Sequence, residues 1–220
     1  MQRLTILVLL IFFAALSPAS AETVAGTVSK IFGTATAVGP SGSRSLALND
    51  SVFVEDSLDT KTKTRLELAM SDGATLTLGA EATITIRDYT FEDNRGNASL
   101  NLARGAFRMV SGALKGGEDQ GFELRTPVAT IGIRGTDFWG GRLDGNYNFA
   151  LLGGKGIYVE NAAGRVEISE IGYGTTVTAA DQPPSPPKKW SQAKVKRALD
   201  TVNPPGENNG PSTAPSGNSY

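Results

Sequence analysis

The sequence predicts an all-β domain followed by one short helix. The main observation is an alternation of apolar and polar residues with a period of two. In residues 64–70, Leu66, Leu68 and Met70 share one face while charged residues take the other. Alternation of this kind places every second side chain in a core and its neighbours in water. The same pattern recurs in residues 75–78, 83–87, 107–109 and 166–168.

Glycine separates these windows at short intervals, as at Asp72-Gly73 and Gly140-Gly141. Glycine adopts the positive φ angles that tight turns require, so the chain should form many short strands. We expect a β-solenoid-like roll, because Thr, Gly and small residues are abundant and aromatic residues make up only 7%. No fixed repeat period is present, which leaves a β-sandwich as the alternative.

The first 21 residues have the pattern of a secretory signal peptide. Arg3 precedes an apolar run over residues 4–16, and Ala19-Ser20-Ala21 supplies the small residues of a cleavage site. The run is shorter than the roughly 20 residues that span a bilayer as a helix, so an uncleaved anchor is the less favoured alternative. We therefore expect cleavage after Ala21, a location outside the cytoplasm and no stable membrane span in the mature chain.

The composition changes sharply near Asp181, since eight of the 11 prolines lie between Pro183 and Pro215. The predicted organisation is an all-β domain over residues 22–180, a Pro-rich linker over 181–187, a basic amphipathic helix over 188–202 and a disordered tail over 203–220.

The predicted helix carries an apolar stripe and a net charge of +4, from five Lys or Arg residues and one Asp, whereas residues 22–187 carry −5, from 15 basic and 20 acidic residues. The stripe consists of Val195, Ala198, Leu199 and Val202. The favoured interpretation is that this helix docks on the acidic body of the protein, formed by residues 22–187. Binding to a partner, contact with an anionic membrane and simple solvation are the alternatives.

The composition excludes several classes of protein. The chain has no Cys and no His, so it holds no Ser-His-Asp triad, no Cys nucleophile and no usual zinc site. A formal net charge of −1 gives no electrostatic case for nucleic-acid binding. The paired acidic residues lie beside predicted turns, where solvated charge is the common explanation. They are Asp56 with Asp59, Glu92 with Asp93, and Glu118 with Asp119. We therefore expect no enzyme, no cofactor and no metal; a polysaccharide-active enzyme is the least favoured alternative.

The densest unusual segment spans residues 123–139. Pro127 holds Thr126 extended, which suits a strand start or a corner. Arg134 offers five donors in a planar fork and could tie backbone carbonyls or a carboxylate. The favoured interpretation is that Arg134 is buried and holds a turn. The alternative is that it faces a partner, together with Asp137 and Trp139. The residues singled out as a motif are Thr126, Pro127, Arg134, Gly135, Thr136 and Phe138.

This segment resembles the FecR-type periplasmic domain, whose mark is a Thr-Pro pair followed closely by Arg-Gly-Thr and an aromatic residue. The resemblance extends over about residues 25–180. It implies a signal transducer with a cytoplasmic sigma-factor-binding region, one membrane helix and a periplasmic part that receives a signal. Only three residues precede the apolar run here, so we expect a stand-alone secreted form without the sigma-factor-binding region.

The expected function is that of a non-catalytic periplasmic binding, scaffold or signalling protein, which acts through protein contacts of its β domain. The partner would be a periplasmic or envelope protein of unknown identity. The alternative is a cell-wall glycan or peptidoglycan-binding module, in which exposed aromatic rings such as Trp139, Tyr147 and Tyr158 stack on sugars.

Overall fold

The alternating windows form short strands, and the computed structural model describes residues 22–93, 95–114 and 121–205. The predicted signal peptide, the Glu118-Asp119 pair and residues 206–220 of the predicted tail lie outside these ranges. The elements are β1 (Val24–Phe32), β2 (Ala35–Gly39), β3 (Gly42–Leu46), β4 (Ser51–Phe53), β5 (Ser57–Thr60), β6 (Arg65–Met70), β7 (Thr75–Leu78), β8 (Thr83–Glu92), β9 (Arg95–Arg104), β10 (Phe107–Val110), β11 (Gly121–Arg125), β12 (Thr130–Ile133), β13 (Thr136–Leu143), β14 (Asn146–Gly154), β15 (Ile157–Asn161), β16 (Gly164–Ile168), β17 (Tyr173–Val177), β18 (Lys188–Lys189) and the helix α1 (Gln192–Asp200).

In the described part of the chain, the strands form two nine-stranded sheets. The first sheet has the order β18-β17-β14-β13-β10-β7-β6-β1-β4, and the second has the order β16-β15-β12-β11-β9-β8-β5-β2-β3. The chain passes back and forth between the sheets, usually after one hairpin, so both sheets grow in the same direction as the sequence advances.

The two facing sheets fit the sandwich alternative, and the expected solenoid is not confirmed. A solenoid stacks successive coils through parallel pairing. Among the described strand pairs only β9 and β11 are parallel; the others are antiparallel. The reason is local: Gly-containing turns join neighbouring strands as hairpins, and a hairpin is necessarily antiparallel.

The main core lies between the sheets and is built from the predicted apolar faces. Leu66 and Leu68 of β6 are fully buried there, as are Leu76 and Leu78 of β7. Their neighbours Arg65 and Glu67 point to the outer face of the first sheet, as the period-two pattern requires. The all-β prediction is therefore confirmed.

Strands β13 and β14 are buried on both faces along most of their length. Phe138 belongs to the core between the sheets, whereas the adjacent Trp139 belongs to a second apolar cluster on the outer face of the first sheet. Residues 181–205, which we call the C-terminal strap, cover this face. The strap contributes Trp190, Val195, Ala198, Leu199 and Val202, and the sheet contributes Ala106, Trp139, Leu143, Ala150 and Leu152.

Polar contacts hold the strap in one position. The indole Nε1 of Trp139 donates to Thr201 Oγ1 at 3.0 Å, and the ring of Trp139 meets that of Trp190 edge-on at 6.0 Å. Lys194 Nζ donates to Asn148 Oδ1 at 2.9 Å, and burial lowers the pKa of Lys194. The helix thus lies where the docking interpretation placed it.

The helix is shorter than the predicted segment 188–202. Lys188 and Lys189 pair with β17 as a strand, and Ser191 caps the helix by accepting a hydrogen bond from Lys194 N at 3.2 Å. The Pro-rich segment also touches the body, since Ser185 N donates to Thr176 O at 3.0 Å. Pairing with the edge of β17 explains both differences, because an unpaired edge strand offers free backbone groups. In the part of the chain that the structure describes, no helix has the length and apolarity needed to cross a membrane.

Candidate functional site

The Thr-Pro pair forms the turn between β11 and β12. Thr126 N donates to Ala129 O at 2.9 Å, and Thr126 Oγ1 both donates to Ala129 O at 2.7 Å and accepts from Ala129 N at 3.1 Å. Pro127 lies exposed within the turn, where its fixed φ and missing N–H cost nothing. These two residues therefore close a hairpin.

The Arg-Gly-Thr residues lie where the chain crosses from β12 in the second sheet to β13 in the first. Gly135 has a φ of +59°, and its carbonyl accepts a hydrogen bond from Lys155 N at 3.0 Å. Thr136 is buried; its Oγ1 donates to Gly156 O at 2.6 Å, and its backbone N donates to Ser111 Oγ at 2.7 Å. The crossover is consequently held by backbone groups and by the threonine.

Arg134 contributes to this crossover only through its backbone N, which donates to Gly156 O at 2.9 Å. The side chain of Arg134 is 65% exposed, and its Nη2 lies 3.8 Å from Glu167 Oε1, which is 55% exposed. The expected burial of Arg134 is wrong. Thr136, and not the guanidinium of Arg134, makes the side-chain hydrogen bond to a backbone carbonyl that holds the crossover. The side chain of Arg134 therefore lies on the surface of a fixed turn.

The residues that directly follow Thr136 in β13 face inward. Asp137 accepts two hydrogen bonds from Arg108, at 2.9 Å from Nε and 2.7 Å from Nη2, and hydrogen bonding to Asp137 raises the pKa of Arg108. Phe138 packs edge-on against Phe107 with ring centroids 5.4 Å apart. Trp139 lies beneath the strap. Asp137 and Trp139, predicted as possible partner contacts, are therefore buried, and Arg134 is exposed.

The aromatic rings considered for sugar stacking are wholly or partly buried. Trp139 and Tyr147 are buried. The Tyr158 ring lies over Gly132, where an added Cβ would overlap it, and Arg165 lies 3.9 Å from the centroid of the ring. The contacts of Tyr158 take up part of the ring surface that a sugar would need.

Of the acidic pairs considered for catalysis, Asp56 and Asp59 lie in ion pairs, whereas Glu92 and Asp93 are exposed at the end of β8. Asp56 is fully buried and binds Arg44 through two hydrogen bonds. Asp59 contacts Lys61 and Arg104, and hydrogen bonding to Lys61 lowers the pKa of Asp59. Within the described residues, no group of three acidic side chains is placed to hold a metal ion.

The structure also contains a cleft lined by charged residues, which no pattern in the sequence indicates. It has a volume of about 400 Å³ and lies on the outer face of the first sheet, between β1 and the end of the strap. Its charged lining residues are Lys30, Arg65, Glu67 and Arg108. They come from three strands, β1, β6 and β10, and only the pairing register brings them together.

The comparisons place the motif in a known family. Residues 56–166, about half of the chain, match the family model described as FecR protein. The chain belongs to the FecR family. The matched FecR region contains the Thr-Pro turn and the Arg-Gly-Thr crossover, and it ends within β16, so the strap lies outside it.

Two crystal structures of a candidate anti-sigma factor from Parabacteroides distasonis ATCC 8503 share the fold of this FecR protein. Both have a TM-score of 0.52 and a sequence identity of 14%, over 65% of this chain and 64% or 63% of theirs. The match thus spans less than two thirds of the length of these neighbours. The comparison with curated proteins found no match.

The crossover of the FecR region supplies a stability prediction. Gly154 has a φ of +86°, and a Cβ there would overlap Gly135 O and lie 2.7 Å from Thr136 Cα. Gly145 has a similar φ of +84° with no described atom within 4 Å of such a Cβ. We expect Gly145→Ala to cost about 1–2 kcal/mol, the ordinary cost of a left-handed alanine.

Gly154→Ala should cost clearly more, because the backbone of the crossover must move as well. Urea denaturation of both variants measures the difference. Equal losses of unfolding free energy in the two variants would show that the backbone of the crossover accommodates the added Cβ at no extra cost.

Proposed function

We propose that this FecR-family domain is a non-catalytic regulatory module of the periplasm that works by protein contact, with Arg134 as a central contact residue. The observation that carries the proposal is the exposure of Arg134 on a turn whose other motif residues are fixed. Guanidinium groups are enriched at protein interfaces, because they form charge-assisted, bidentate hydrogen bonds. A rigid crossover limits the conformational entropy lost on binding.

The fold neighbours support a regulatory role, since they are described as a candidate anti-sigma factor. The signal-peptide pattern of residues 1–21 supports export to the periplasm. The carboxylates Asp56 and Asp59 are engaged in ion pairs, which is a structural use of acidic residues and supports a non-catalytic function.

Position 104 offers a matched control for Arg134. The side chain of Arg104 is 64% exposed and forms an ion pair with Asp59 on the same sheet, away from the crossover. Arg134→Ala and Arg104→Ala therefore remove equally exposed guanidinium groups. Both variants should unfold at the wild-type urea concentration, because exposed ion pairs add little stability.

In-cell photocrosslinking tests the contact. A photoreactive residue at the exposed position Ser169, one residue after β16, leaves Arg134 intact. We expect a discrete adduct in the periplasmic fraction that persists in Arg104→Ala and falls by about tenfold or more in Arg134→Ala, as for an interface hot spot. An adduct of equal yield in both variants would refute the role of Arg134, and recovery of the protein in the cytosol would refute the periplasmic assignment.

A further inference from the structure

The cleft beside the strap has a polar floor and apolar walls. Glu67, Thr77 and Arg108 lie side by side on neighbouring strands and form the floor. The half-exposed Phe32 and the strap residues Val202 and Pro204 line the sides. A volume of about 400 Å³ lies within the usual range for small-ligand sites.

Arg108 presents unused donors to this cleft. Its Nε and Nη2 are bound to Asp137, and its side chain is only 12% exposed. Its Nη1 has no hydrogen-bond partner among the described residues, although no fully buried side-chain polar atom described here is unsatisfied. The bidentate pair therefore holds the guanidinium rigidly, while Nη1 remains accessible from the cleft.

Among the residues that the structure describes, the charges around the cleft leave one cation without a counter-ion. Lys30 lies 3.4 Å from Glu67, and Arg108 is paired with Asp137. Arg65 instead donates to the carbonyl oxygens of Asp200 and Asn203 at 3.0 Å and of Thr64 at 2.8 Å, and it has no ion pair within the described ranges. Burial lowers the pKa of Arg65, as expected for a cation in a partly desolvated site.

We propose that this cleft binds a single carboxylate attached to an apolar group. The carboxylate compensates the positive charge of Arg65, which has no ion pair among the described residues, and accepts hydrogen bonds from Arg108 Nη1. The apolar group packs against Phe32, Val202 and Pro204. Small organic acids carry this chemistry, and so does an Asp or Glu beside an apolar residue in a peptide. The site is independent of the proposed Arg134 contact, because Arg134 follows β12 of the second sheet and the cleft lies on the outer face of the first.

Calorimetric titration of the purified protein with four probes tests the proposal. The first pair is 3-phenylpropionate and its neutral analogue 3-phenylpropanamide. The second pair is acetyl-Ala-Phe-Asp-Ala-amide and the same peptide with Asn in place of Asp. We expect the acid of at least one pair to bind about tenfold more tightly than its amide, because charge-assisted hydrogen bonds are roughly twice as strong as neutral ones. Binding of 3-phenylpropionate alone would identify the natural ligand as a small organic acid. Binding of the acidic peptide would identify it as a segment of a protein.

Two variants locate the bound acid. Thr77→Phe fills the floor of the cleft from an outward-facing strand position and should abolish binding. Lys30→Gln should weaken binding about threefold, in line with a solvent-exposed cation, whereas Lys61→Gln should leave it unchanged. Lys30 and Lys61 are matched, with side chains 60% and 59% exposed in ion pairs with Glu67 and Asp59. The Arg134→Ala variant should also bind normally.

Three results would overturn the proposal: acids and amides that bind equally or not at all, undiminished binding in Thr77→Phe, or equal losses in Lys30→Gln and Lys61→Gln. Wild-type unfolding midpoints of the variants in urea would show that a loss of binding arises in the cleft and not from unfolding.

Discussion

Deletion of residues 181–220 is expected to lower the free energy of unfolding by about 4 kcal/mol or more. The deletion uncovers the outer face of β13 and β14, where Trp139 and Leu152 are buried beneath the strap. Loss of a single buried Trp side chain typically costs about 3–5 kcal/mol, and the strap supplies Trp190 together with Leu199 and other apolar contacts. Urea denaturation measures the loss.

Tryptophan fluorescence gives a second readout of the same deletion. The chain has only two Trp residues, and the deletion removes Trp190, so all remaining emission comes from Trp139. Its maximum should shift to longer wavelength, because the indole becomes exposed to water. Arg197→Gln is the control: it breaks only the exposed ion pair with Asp144 and should keep both the midpoint and the emission near wild type. An unchanged midpoint and emission after the deletion would show that the strap does not dock.

Replacement of Arg108 by Ala is expected to cost about 3–5 kcal/mol, because it leaves Asp137 as a buried carboxylate without its partner. The two side chains are 12% and 8% exposed, and their contact is bidentate. The double variant Arg108→Met/Asp137→Leu should be closer to wild type than the single variant, because no unpaired charge remains in it.

Urea is the denaturant for this comparison, because guanidinium chloride would screen the charges. Arg87→Ala is the control: it removes an ion pair with Glu55 whose side chains are about half exposed, and should cost less than about 1 kcal/mol. If the double variant is no more stable than Arg108→Ala, packing and not the unpaired charge accounts for the loss.

The strand content was predictable because it depends on a local property. Leu66, Leu68 and Met70 alternate with polar residues, and alternation fixes which face of a strand is buried whatever it packs against. The arrangement of the strands was not predictable to the same degree. The choice between a solenoid and a sandwich depends on whether neighbouring coils or hairpins pair, and the composition of Thr and Gly suits both.

The motif was found in the sequence, but the environments of its residues were not. Arg134 and Asp137 are three positions apart, yet one is exposed and the other forms a buried pair with Arg108. Thr136 turned out to hold the crossover through hydrogen bonds to Gly156 and Ser111, which lie 20 and 25 positions away. No local pattern reveals such partners.

The all-β class, the FecR-type motif and the apolar stripe of the C-terminal helix could all be recognised from the sequence alone. Each depends only on the spacing of residues along one segment. The tertiary structure decided three other matters: that the strap buries Trp139, that Arg134 faces solvent, and that Lys30, Arg65 and Arg108 surround one cleft. Each of these depends on the register between strands distant in the chain, and register is set by the packing of the whole core.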